Sequence, residues 1–330
     1  MDEGKKKAVR SAPLKGYGQE DDRKERDEHT MKMNRLGTSD LLVGEIGLGC
    51  MSLGTEEAKA IGLVHEAMER GVNFLDTADL YDDGRNEEIV GKAIRGRRDR
   101  VVLATKVGNR RVPGQEGWTW DPSRAYILSA VKESLRRLGT DYIDLYQLHG
   151  GTIEDPMDET IEAFEQLKRE GTIREYGISS IRPNVIREYA ARSSIVSVMN
   201  AYSIVDRRAE ETVLPLLLER KIGVIARGPL ARGALAANRE PSRSVPDYEL
   251  EELKALRERL RGLERPGRSL TQLAIRYSLA HPTVAVAIPG ASSREQLLQN
   301  IAASQAPELT PEELEAIRGF SKPNVYAAHR

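Results

Sequence analysis

Four polar side chains lie at or just beyond the ends of three successive strand-like segments: Asp76, Tyr81, Lys106 and His149. An ammonium group beside a tyrosine favours the phenolate and lowers the pKa of the phenol from about 10 toward working pH. Asp76 can keep Lys106 charged in a site where a lone ammonium would be costly to bury. His149 can donate a hydrogen bond to a carbonyl oxygen. Together, these four side chains could protonate an oxyanion as a hydride reaches the carbonyl carbon.

Each of these side chains also has an ordinary structural explanation when it is taken alone. An aspartate at a strand end can cap a turn, a lysine can be a salt-bridge partner, and a histidine can be a hydrogen-bonded core residue. The occurrence of all four at three successive strand ends, in this order along the chain, favours one shared catalytic role.

Short apolar segments typical of β-strands alternate with longer amphipathic segments from residue 33 onward. Eight strand segments are recognisable, at residues 45–49, 73–78, 101–107, 144–149, 174–179, 197–203, 223–229 and 284–290. Each precedes a segment with apolar residues at i, i+3, i+4 and i+7, which indicates a helix. This alternation predicts an α/β fold, a (β/α)8 TIM barrel, with its active site at the carboxyl ends of the strands. A doubly wound sheet is the alternative, but the segment Gly47-Leu48-Gly49 lacks the third glycine of its phosphate-binding turn.

The chain before the first barrel strand falls into two parts. Sixteen of the first thirty residues are charged, eight of each sign, and apolar residues are sparse. Residues 1–32 are therefore predicted to be a disordered tail, and residues 33–330 a single barrel domain. The segment RLGTSDLLVGEIGLG indicates two short strands around a turn at residues 38–40, and we expect this hairpin at the bottom of the barrel.

The composition excludes several classes of protein. The 330 residues contain 50 basic and 51 acidic side chains, so the net charge of −1 argues against a nucleic-acid-binding face. No run approaches the roughly 20 apolar residues that a membrane helix needs. The single cysteine, Cys50, excludes an internal disulfide framework and a cysteine-rich metal site, and no metal is expected. Because no secretory signal is visible, we expect a cytoplasmic protein.

Several segments resemble the aldo-keto reductase family. The matching segments are GLGCMSLG (47–54), NFLDTADLYDDGRNEEIVGKAI (73–94), VVLATKVG (101–108), SLRRLGTDYIDLYQLHG (134–150), LKREGTIREYGIS (167–179) and IPGASSREQLLQNI (288–301). The strings WDPSRAYI, HGGTIEDP and GISSIRPNVIREY resemble a bacterial branch of that family. The resemblance implies the same barrel and the NAD(P)H-dependent reduction of aldehydes or ketones to alcohols. It also implies that Tyr81 is the proton donor, that Lys106 is its partner, and that His149 positions the carbonyl.

The resemblance also implies where a nicotinamide cofactor binds. The cofactor phosphates are expected beside the loops after the seventh and eighth strands, where a helix amino terminus favours an anion. The residues expected to contact the cofactor are Met51, Asp76, Ser179, Ser180, Asn200, Arg227, Gly228, Pro229, Leu230, Gly290, Ser292, Arg294, Gln296 and Asn300. Arg294, with Arg268 or Arg232 as alternatives, can pair with a 2′-phosphate, which favours NADP over NAD.

Three positions depart from the family pattern. The usual Ser-Asn pair that holds the nicotinamide carboxamide reads Ser179-Ser180, and the usual glutamine on the sixth strand is Met199, with Asn200 beside it. Arg227 stands where many relatives stack an aromatic ring on the nicotinamide. Either Asn200 supplies the missing carboxamide contact or that contact is lost.

The sequence indicates a small-molecule carbonyl substrate without identifying it, and the oligomeric state is not readable. Trp118 and Trp120, on the loop after the third strand, are expected to contact the substrate together with Tyr81 and His149, or to pack beneath the loop and set its shape. Two other functions remain open. Lys106 could form a Schiff base with a carbonyl substrate, or the barrel could be a cofactor-binding regulatory protein with little turnover.

Overall fold

The computed structural model describes residues 31–111, 114 and 116–330. Its strands are β1 (Met33–Arg35), β2 (Leu42–Gly44), β3 (Leu48–Gly49), β4 (Phe74–Asp76), β5 (Val102–Val107), β6 (Asn109–Arg110), β7 (Thr119–Trp120), β8 (Ile143–Leu148), β9 (Ile173–Ser179), β10 (Ser197–Ala201), β11 (Gly223–Arg227) and β12 (Val284–Ile288). Its α-helices are α1 (Glu57–Glu69), α2 (Arg85–Ile94), α3 (Arg124–Leu138), α4 (Met157–Arg169), α5 (Pro183–Arg192), α6 (Val213–Glu219), α7 (Leu250–Arg261), α8 (Leu270–Leu279), α9 (Arg294–Ile301) and α10 (Pro311–Phe320).

Eight of these strands form one parallel sheet in the order β12-β11-β10-β9-β8-β5-β4-β3. Parallel bridges from Ile46 to Ala287 and from Gly49 to Gly290 join the first strand to the last, so the sheet closes. All eight predicted strand segments overlap these strands, and the predicted (β/α)8 TIM barrel is confirmed. The doubly wound alternative is wrong, because that fold has an open sheet with two edges.

Strand alternation decides which side chains face the inside of the barrel. Val102, Ala104 and Leu145 belong to the apolar cluster that fills the barrel interior. Because successive side chains of a strand point to opposite faces, Lys106 on β5 and Gln147 on β8 continue the same inward rows toward the carboxyl ends. The interior therefore changes from apolar to polar along its axis.

The predicted hairpin is present as β1 and β2, which pair antiparallel. Leu36, Leu41 and Val43 pack with the apolar residues of the barrel interior. Gly37, with a φ of 59°, lies so close to the strand ends that an added Cβ would be 2.1 Å from the carbonyl oxygen of Val196. Since Val196 directly precedes β10, the hairpin closes the barrel at the amino ends of its strands.

The prediction for the charged tail falls almost wholly on residues 1–30, which lie outside the described residues, so it stays a prediction. Residues 31 and 32, which the sequence analysis assigned to that tail, pack against the barrel instead. Met31 is buried in the apolar core, and the carbonyl oxygen of Lys32 accepts a hydrogen bond from the Glu45 amide at 2.9 Å. Residues 31 and 32 therefore belong to the barrel domain and not to the predicted tail.

Candidate active site

Lys106 is the centre of a hydrogen-bonded group at the carboxyl ends of β4 and β5. Its Nζ donates to Asp76 Oδ2 and to the Thr77 carbonyl oxygen, both at 2.7 Å, and lies 3.2 Å from the Tyr81 hydroxyl oxygen. The lysine side chain is fully buried. These three acceptors fix the ammonium group, so Asp76, Tyr81 and Lys106 meet as the sequence analysis expected.

Tyr81 is held by a sharply turned segment of backbone. It begins a short 3-10 turn, Tyr81–Gly84, in which Asp82 and Asp83 have φ values of 49° and 57°. Left-handed conformations are costly for residues other than glycine, although aspartate tolerates them better than most. An ion pair of 2.5 Å between Asp83 and Arg111 ties the turn to the loop after β6. The turn thus directs the phenol over Lys106 before the chain enters α2.

Burial controls the protonation of this group. Burial lowers the pKa of Lys106, but Asp76 and Tyr81 together raise it more, so its net pKa lies above the usual value and the ammonium stays charged. Burial raises the pKa of Tyr81, and Lys106 only partly opposes this effect. The expectation that Lys106 lowers the phenol pKa below about 10 is therefore wrong for this protein without ligand. Tyr81 keeps its proton at neutral pH.

His149 lies directly beside Tyr81. Its backbone amide donates to the Val107 carbonyl oxygen at 2.7 Å, which extends the pairing of β5 and β8 by one residue. The two rings meet edge to face with their centroids 5.9 Å apart. Burial, helped by the positive charges of Lys106 and Arg227, lowers the pKa of His149 to about 3. The imidazole is neutral at neutral pH, and its buried Nδ1 has no hydrogen-bond partner among the residues that the structure describes.

Of two buried polar residues that the sequence analysis did not select, one contacts this group and the other contacts Thr105, which precedes Lys106. Gln147 Nε2 donates to Asp76 Oδ1 at 3.3 Å, and Glu87 Oε1 accepts a hydrogen bond of 2.6 Å from the Thr105 hydroxyl, next to Lys106. Gln147 precedes His149 by two residues and shares its inward face, so strand alternation could have identified it. Glu87 lies on α2, and no local pattern marks it.

Asp79, two residues before Tyr81, is a further carboxyl group, and its side chain is half-buried. Its Oδ1 is buried and has no hydrogen-bond partner within the described ranges of the chain. Burial raises the pKa of Asp79 to about 7, Glu87 adds to this effect, and Arg137 opposes it. A proton therefore binds to this carboxyl group near neutral pH, two residues before Tyr81.

The predicted cofactor residues divide by exposure. Those exposed at the carboxyl ends of the strands are Met51, Arg227, Gly228, Gly290, Ser292 and Arg294; Leu230 and Gln296 are half-buried; Asp76, Ser179, Ser180, Pro229 and Asn300 are buried. Gly290 packs so closely that an added Cβ would lie 2.4 Å from Ser52 Oγ. The exposed set lies at or just beyond the carboxyl ends of β3, β11 and β12, where the sequence analysis expected the cofactor.

Asn200 does not face the mouth of the barrel. Its side chain is fully buried, its Nδ2 donates to the Ser180 carbonyl oxygen at 2.8 Å, and its Oδ1 accepts from the Tyr326 hydroxyl at 3.1 Å. Met199 is buried in the apolar interior. The expectation that Asn200 contacts the cofactor directly is therefore corrected, since none of its surface is accessible to a ligand.

The basic residues expected near a 2′-phosphate have different environments. Arg294 is 63% exposed and pairs with Glu66 at 3.0 Å, an ion pair that solvent weakens. Arg232 is also exposed, in a turn after β11. Arg268, in contrast, is fully buried and forms ion pairs with Glu313 beneath α10, so this alternative is wrong.

The two tryptophans have different roles in the loop after β5. Trp120 pairs within the β6–β7 hairpin, and its Nε1 donates to Asp155 Oδ1 at 2.9 Å. Its ring covers Gly108 and Gly150, where an added Cβ would lie 2.5 Å and 3.3 Å from ring carbons. Trp118 is 52% exposed. Trp120 therefore sets the shape of the loop, and its ring lies beside Gly150, the residue after His149.

A family model described as the aldo/keto reductase family matches residues 45–322. This chain belongs to the aldo-keto reductase family. It is 57% identical over 307 residues to the uncharacterized oxidoreductase YqkF of Bacillus subtilis (strain 168), an alignment that covers 91% of this chain and all of that protein. The family membership predicted from the motifs, and its bacterial branch, are confirmed.

Three solved aldo-keto reductases are similar in structure. The holo form of AKR11C1 from Bacillus halodurans superposes with a TM-score of 0.87 at 58% identity, and the apo form with 0.78 at 53%; each alignment covers 91% of this chain and 99% of the other. The glycerol dehydrogenase AKR11B4 from Gluconobacter oxydans gives 0.79 at 26% identity over 87% of this chain and 94% of the other. The present structure is thus more similar to the holo form of AKR11C1 than to its apo form.

Aldo-keto reductases use nicotinamide cofactors for NAD(P)H-dependent carbonyl reduction, so this chain is an oxidoreductase acting on small molecules. The mouth of its barrel fits such a group. The exposed Arg227 and Arg294 suit an anionic dinucleotide, and the exposed backbone at Gly228 and Gly290 allows close approach. Within the described residues, no cluster of side chains suits a metal ion, and no helix is long and apolar enough to cross a membrane.

Proposed function

We propose that this reductase converts aldehydes or ketones to alcohols with Tyr81 as the proton donor. The observation that carries the proposal is the 3.2 Å contact between the Tyr81 hydroxyl and the ammonium group of Lys106. When bound, the nicotinamide cofactor supplies the hydride that reaches the carbonyl carbon. As negative charge develops on the carbonyl oxygen, Tyr81 transfers its proton to that oxygen.

Lys106 and Asp76 act through Tyr81 and do not touch the substrate. Because the pKa of Tyr81 is raised by burial, the phenol is protonated and ready to donate at neutral pH. Once the proton has left, the phenolate faces a fixed positive charge 3.2 Å away, so Lys106 stabilises the product of the proton transfer more than its starting state. Asp76 keeps that charge in place at 2.7 Å. The three existing contacts of the Lys106 ammonium argue against a Schiff base at this residue.

His149 is suited to orient the carbonyl group. A neutral imidazole carries one N–H donor, and the lowered pKa of His149 maintains that form throughout the neutral range. Its ring stands edge to face with Tyr81, so a carbonyl oxygen between them can accept a hydrogen bond from each. Two donors aimed at one oxygen fix the carbonyl carbon in one position and favour the developing oxyanion.

We also propose NADP as the preferred cofactor. The residues that would hold its phosphates are the loop residues 227–230 and 290–294, with Gln296 and Asn300 on the adenine side. The pair between Arg294 and Glu66 lies at the surface, where solvent screening weakens it, so a doubly charged 2′-phosphate can replace Glu66 as the partner of Arg294.

The rim of the barrel favours a carbonyl compound with an apolar substituent. In the described part of the chain, eight large apolar side chains are exposed. Five of them lie on segments at the carboxyl ends of the barrel strands: Met51, Trp118, Ile153, Ile181 and Val325. An apolar chain or ring that covered several of them would remove apolar surface from water, at about 25 cal/mol per Å2.

The test is NADPH oxidation with 4-nitrobenzaldehyde by the wild type, by Tyr81→Phe and by Tyr146→Phe. The control residue is a buried tyrosine whose hydroxyl has no hydrogen-bond partner in the described structure. We expect turnover by the wild type and the control, and a loss of about 100-fold or more in kcat/KM for Tyr81→Phe with NADPH binding unchanged.

Other outcomes separate the alternatives. A Tyr81→Phe variant with normal turnover would contradict the assignment of the proton donor. Tight NADPH binding by a wild type without turnover on a panel of aldehydes would favour the regulatory alternative. If neither NADPH nor NADH binds, the cofactor assignment is wrong, and borohydride trapping of an adduct on Lys106 tests the Schiff-base alternative.

A further inference from the structure

The segment after α10 crosses the carboxyl end of the barrel and inserts one tyrosine into it. The Tyr326 side chain is buried, and its hydroxyl donates to Asn200 Oδ1 at 3.1 Å. The Arg208 guanidinium lies 5.1 Å from the centre of the Tyr326 ring. Tyr326 thus contacts strand β10 inside the folded domain.

Both ends of this terminal segment are tied to the barrel. Asn324 Oδ1 accepts from the Arg207 amide at 2.8 Å, and its Nδ2 donates to the Val205 carbonyl oxygen at 3.0 Å. The His329 carbonyl oxygen accepts from the Asn184 amide at 2.8 Å, at the start of α5. Chain ends are commonly poorly ordered unless they are tied down in this way. The anchors on either side of Tyr326 hold its ring against Asn200.

The hydrogen bonds continue from Asn200 to the segment after β9. Asn200 Nδ2 donates to the Ser180 carbonyl oxygen at 2.8 Å, and the Ser180 amide donates to the Met199 carbonyl oxygen at 3.1 Å. Ser179 and Ser180 are the residues that the family resemblance implies as contacts of the nicotinamide carboxamide. A continuous row of hydrogen bonds therefore connects the Tyr326 hydroxyl to that subsite.

We propose that Tyr326 is a positioning residue for the nicotinamide subsite and acts through Asn200 on Ser180. The inference rests on the proposed function, because it concerns the geometry of that cofactor site. Without the Tyr326 hydroxyl, Asn200 Oδ1 is left buried without this donor, and the amide is free to rotate away from Ser180. The peptide after β9 then loses the contact that fixes its orientation, and binding of the nicotinamide half of the cofactor weakens.

The experiment compares the full-length wild type with Tyr326→Phe, Asn200→Ala and the double variant, and Tyr146→Phe serves as a matched control. Dissociation constants are measured for NADPH and NADH, and for ADP-ribose, which lacks nicotinamide. For Tyr326→Phe we expect the constants for NADPH and NADH to rise together by about threefold to tenfold, as for one lost hydrogen bond. ADP-ribose binding and kcat at saturating NADPH should change by less than about twofold. In the Asn200→Ala background, Tyr326→Phe should have no further effect.

Each remaining outcome has a definite meaning. If ADP-ribose binding weakens as much as NADPH binding, Tyr326 has only a general structural role and the proposal is overturned. The proposal is also overturned if Tyr326→Phe binds all three ligands as the wild type does. It is overturned too if Tyr326→Phe weakens NADPH binding as much in the Asn200→Ala background as in the wild type. If the wild type binds neither NADPH nor NADH, the proposed function itself fails and this inference fails with it. Thermal melting of each variant verifies that it is folded.

Discussion

The ammonium nitrogen of Lys106 lies 3.2 Å from the phenolic oxygen of Tyr81 and 2.7 Å from a carboxylate oxygen of Asp76. The lysine therefore faces a carboxylate with which it forms a buried ion pair and a phenol that becomes charged only after it has donated its proton. This arrangement separates two effects that mutation can distinguish: the stability of a buried ion pair, and the stabilisation of the Tyr81 phenolate.

Replacement of Lys106 should reduce both stability and activity. In Lys106→Met, Asp76 is buried without its cation, and we expect a loss of about 3–5 kcal/mol in the free energy of unfolding. In Lys106→Met/Asp76→Asn the buried charge is absent, so part of this stability should return, whereas turnover should stay low because no cation faces Tyr81. Thermal melting and NADPH-dependent turnover measure the two effects. Equal melting temperatures for the single and double variants would contradict the explanation.

Asp79 should make stability depend on pH. Its folded-state pKa of about 7 lies above the ordinary aspartate value of 3.8, so the folded protein holds a proton that the unfolded chain releases. Stability should therefore fall as pH rises from about 4 to about 7, by at most about 4 kcal/mol, and stay constant above that range. Asp79→Asn removes this pH dependence of stability.

The measurement for Asp79 is the difference in melting temperature between Asp79→Asn and the wild type at pH 5 and at pH 8. The charged groups around this carboxyl, Glu87, Arg137 and Lys106, are the same in both proteins, so the difference isolates Asp79. We expect a clearly larger gain for the variant at pH 8. The same gain at both pH values would show that Asp79 is ionised in the folded protein throughout.

His149 should act as a neutral donor across the working pH range. Because burial, Lys106 and Arg227 lower its pKa to about 3, we expect kcat/KM to show no ionisation near pH 6.5. His149→Gln retains an N–H donor and should keep about tenfold more activity than His149→Ala. If the pH profile of kcat/KM shows an ionisation near pH 7 that comes from Asp79, this ionisation should be absent in Asp79→Asn. An ionisation that remains in Asp79→Asn and is absent in His149→Gln would contradict the neutral imidazole.

Arg294 should decide between NADPH and NADH. We expect Arg294→Gln to weaken NADPH binding about tenfold and to leave NADH binding unchanged, because only NADPH carries the 2′-phosphate. Glu66→Gln removes the competing carboxylate and should strengthen NADPH binding about twofold to threefold. Arg136 is an exposed arginine on α3 that pairs with Glu133. Arg136→Gln is therefore the matched control for the loss of a surface charge. Equal weakening of NADPH and NADH by Arg294→Gln would place the 2′-phosphate elsewhere.

Local patterns in the sequence predicted much of this protein. Alternation of short apolar segments with amphipathic ones predicted all eight barrel strands, because backbone pairing and the burial of every strand leave a repeating apolar signal. The order of strand ends predicted that Asp76, Lys106 and His149 share one mouth, since parallel strands in a barrel end at the same side. The motifs around these residues indicated the family.

Only the tertiary structure decided the contacts between distant segments. Asn200 and Tyr326 are 126 positions apart, and Trp120 and Asp155 are 35 apart; no periodicity links either pair. The burial of Arg268 and the raised pKa of Tyr81 also depend on which segments pack around them. Elements follow from local spacing because backbone geometry repeats along the chain. Contacts across the barrel, and the desolvation that they impose on buried charges, exist only after the sheet has closed and the terminal segment has packed over its end.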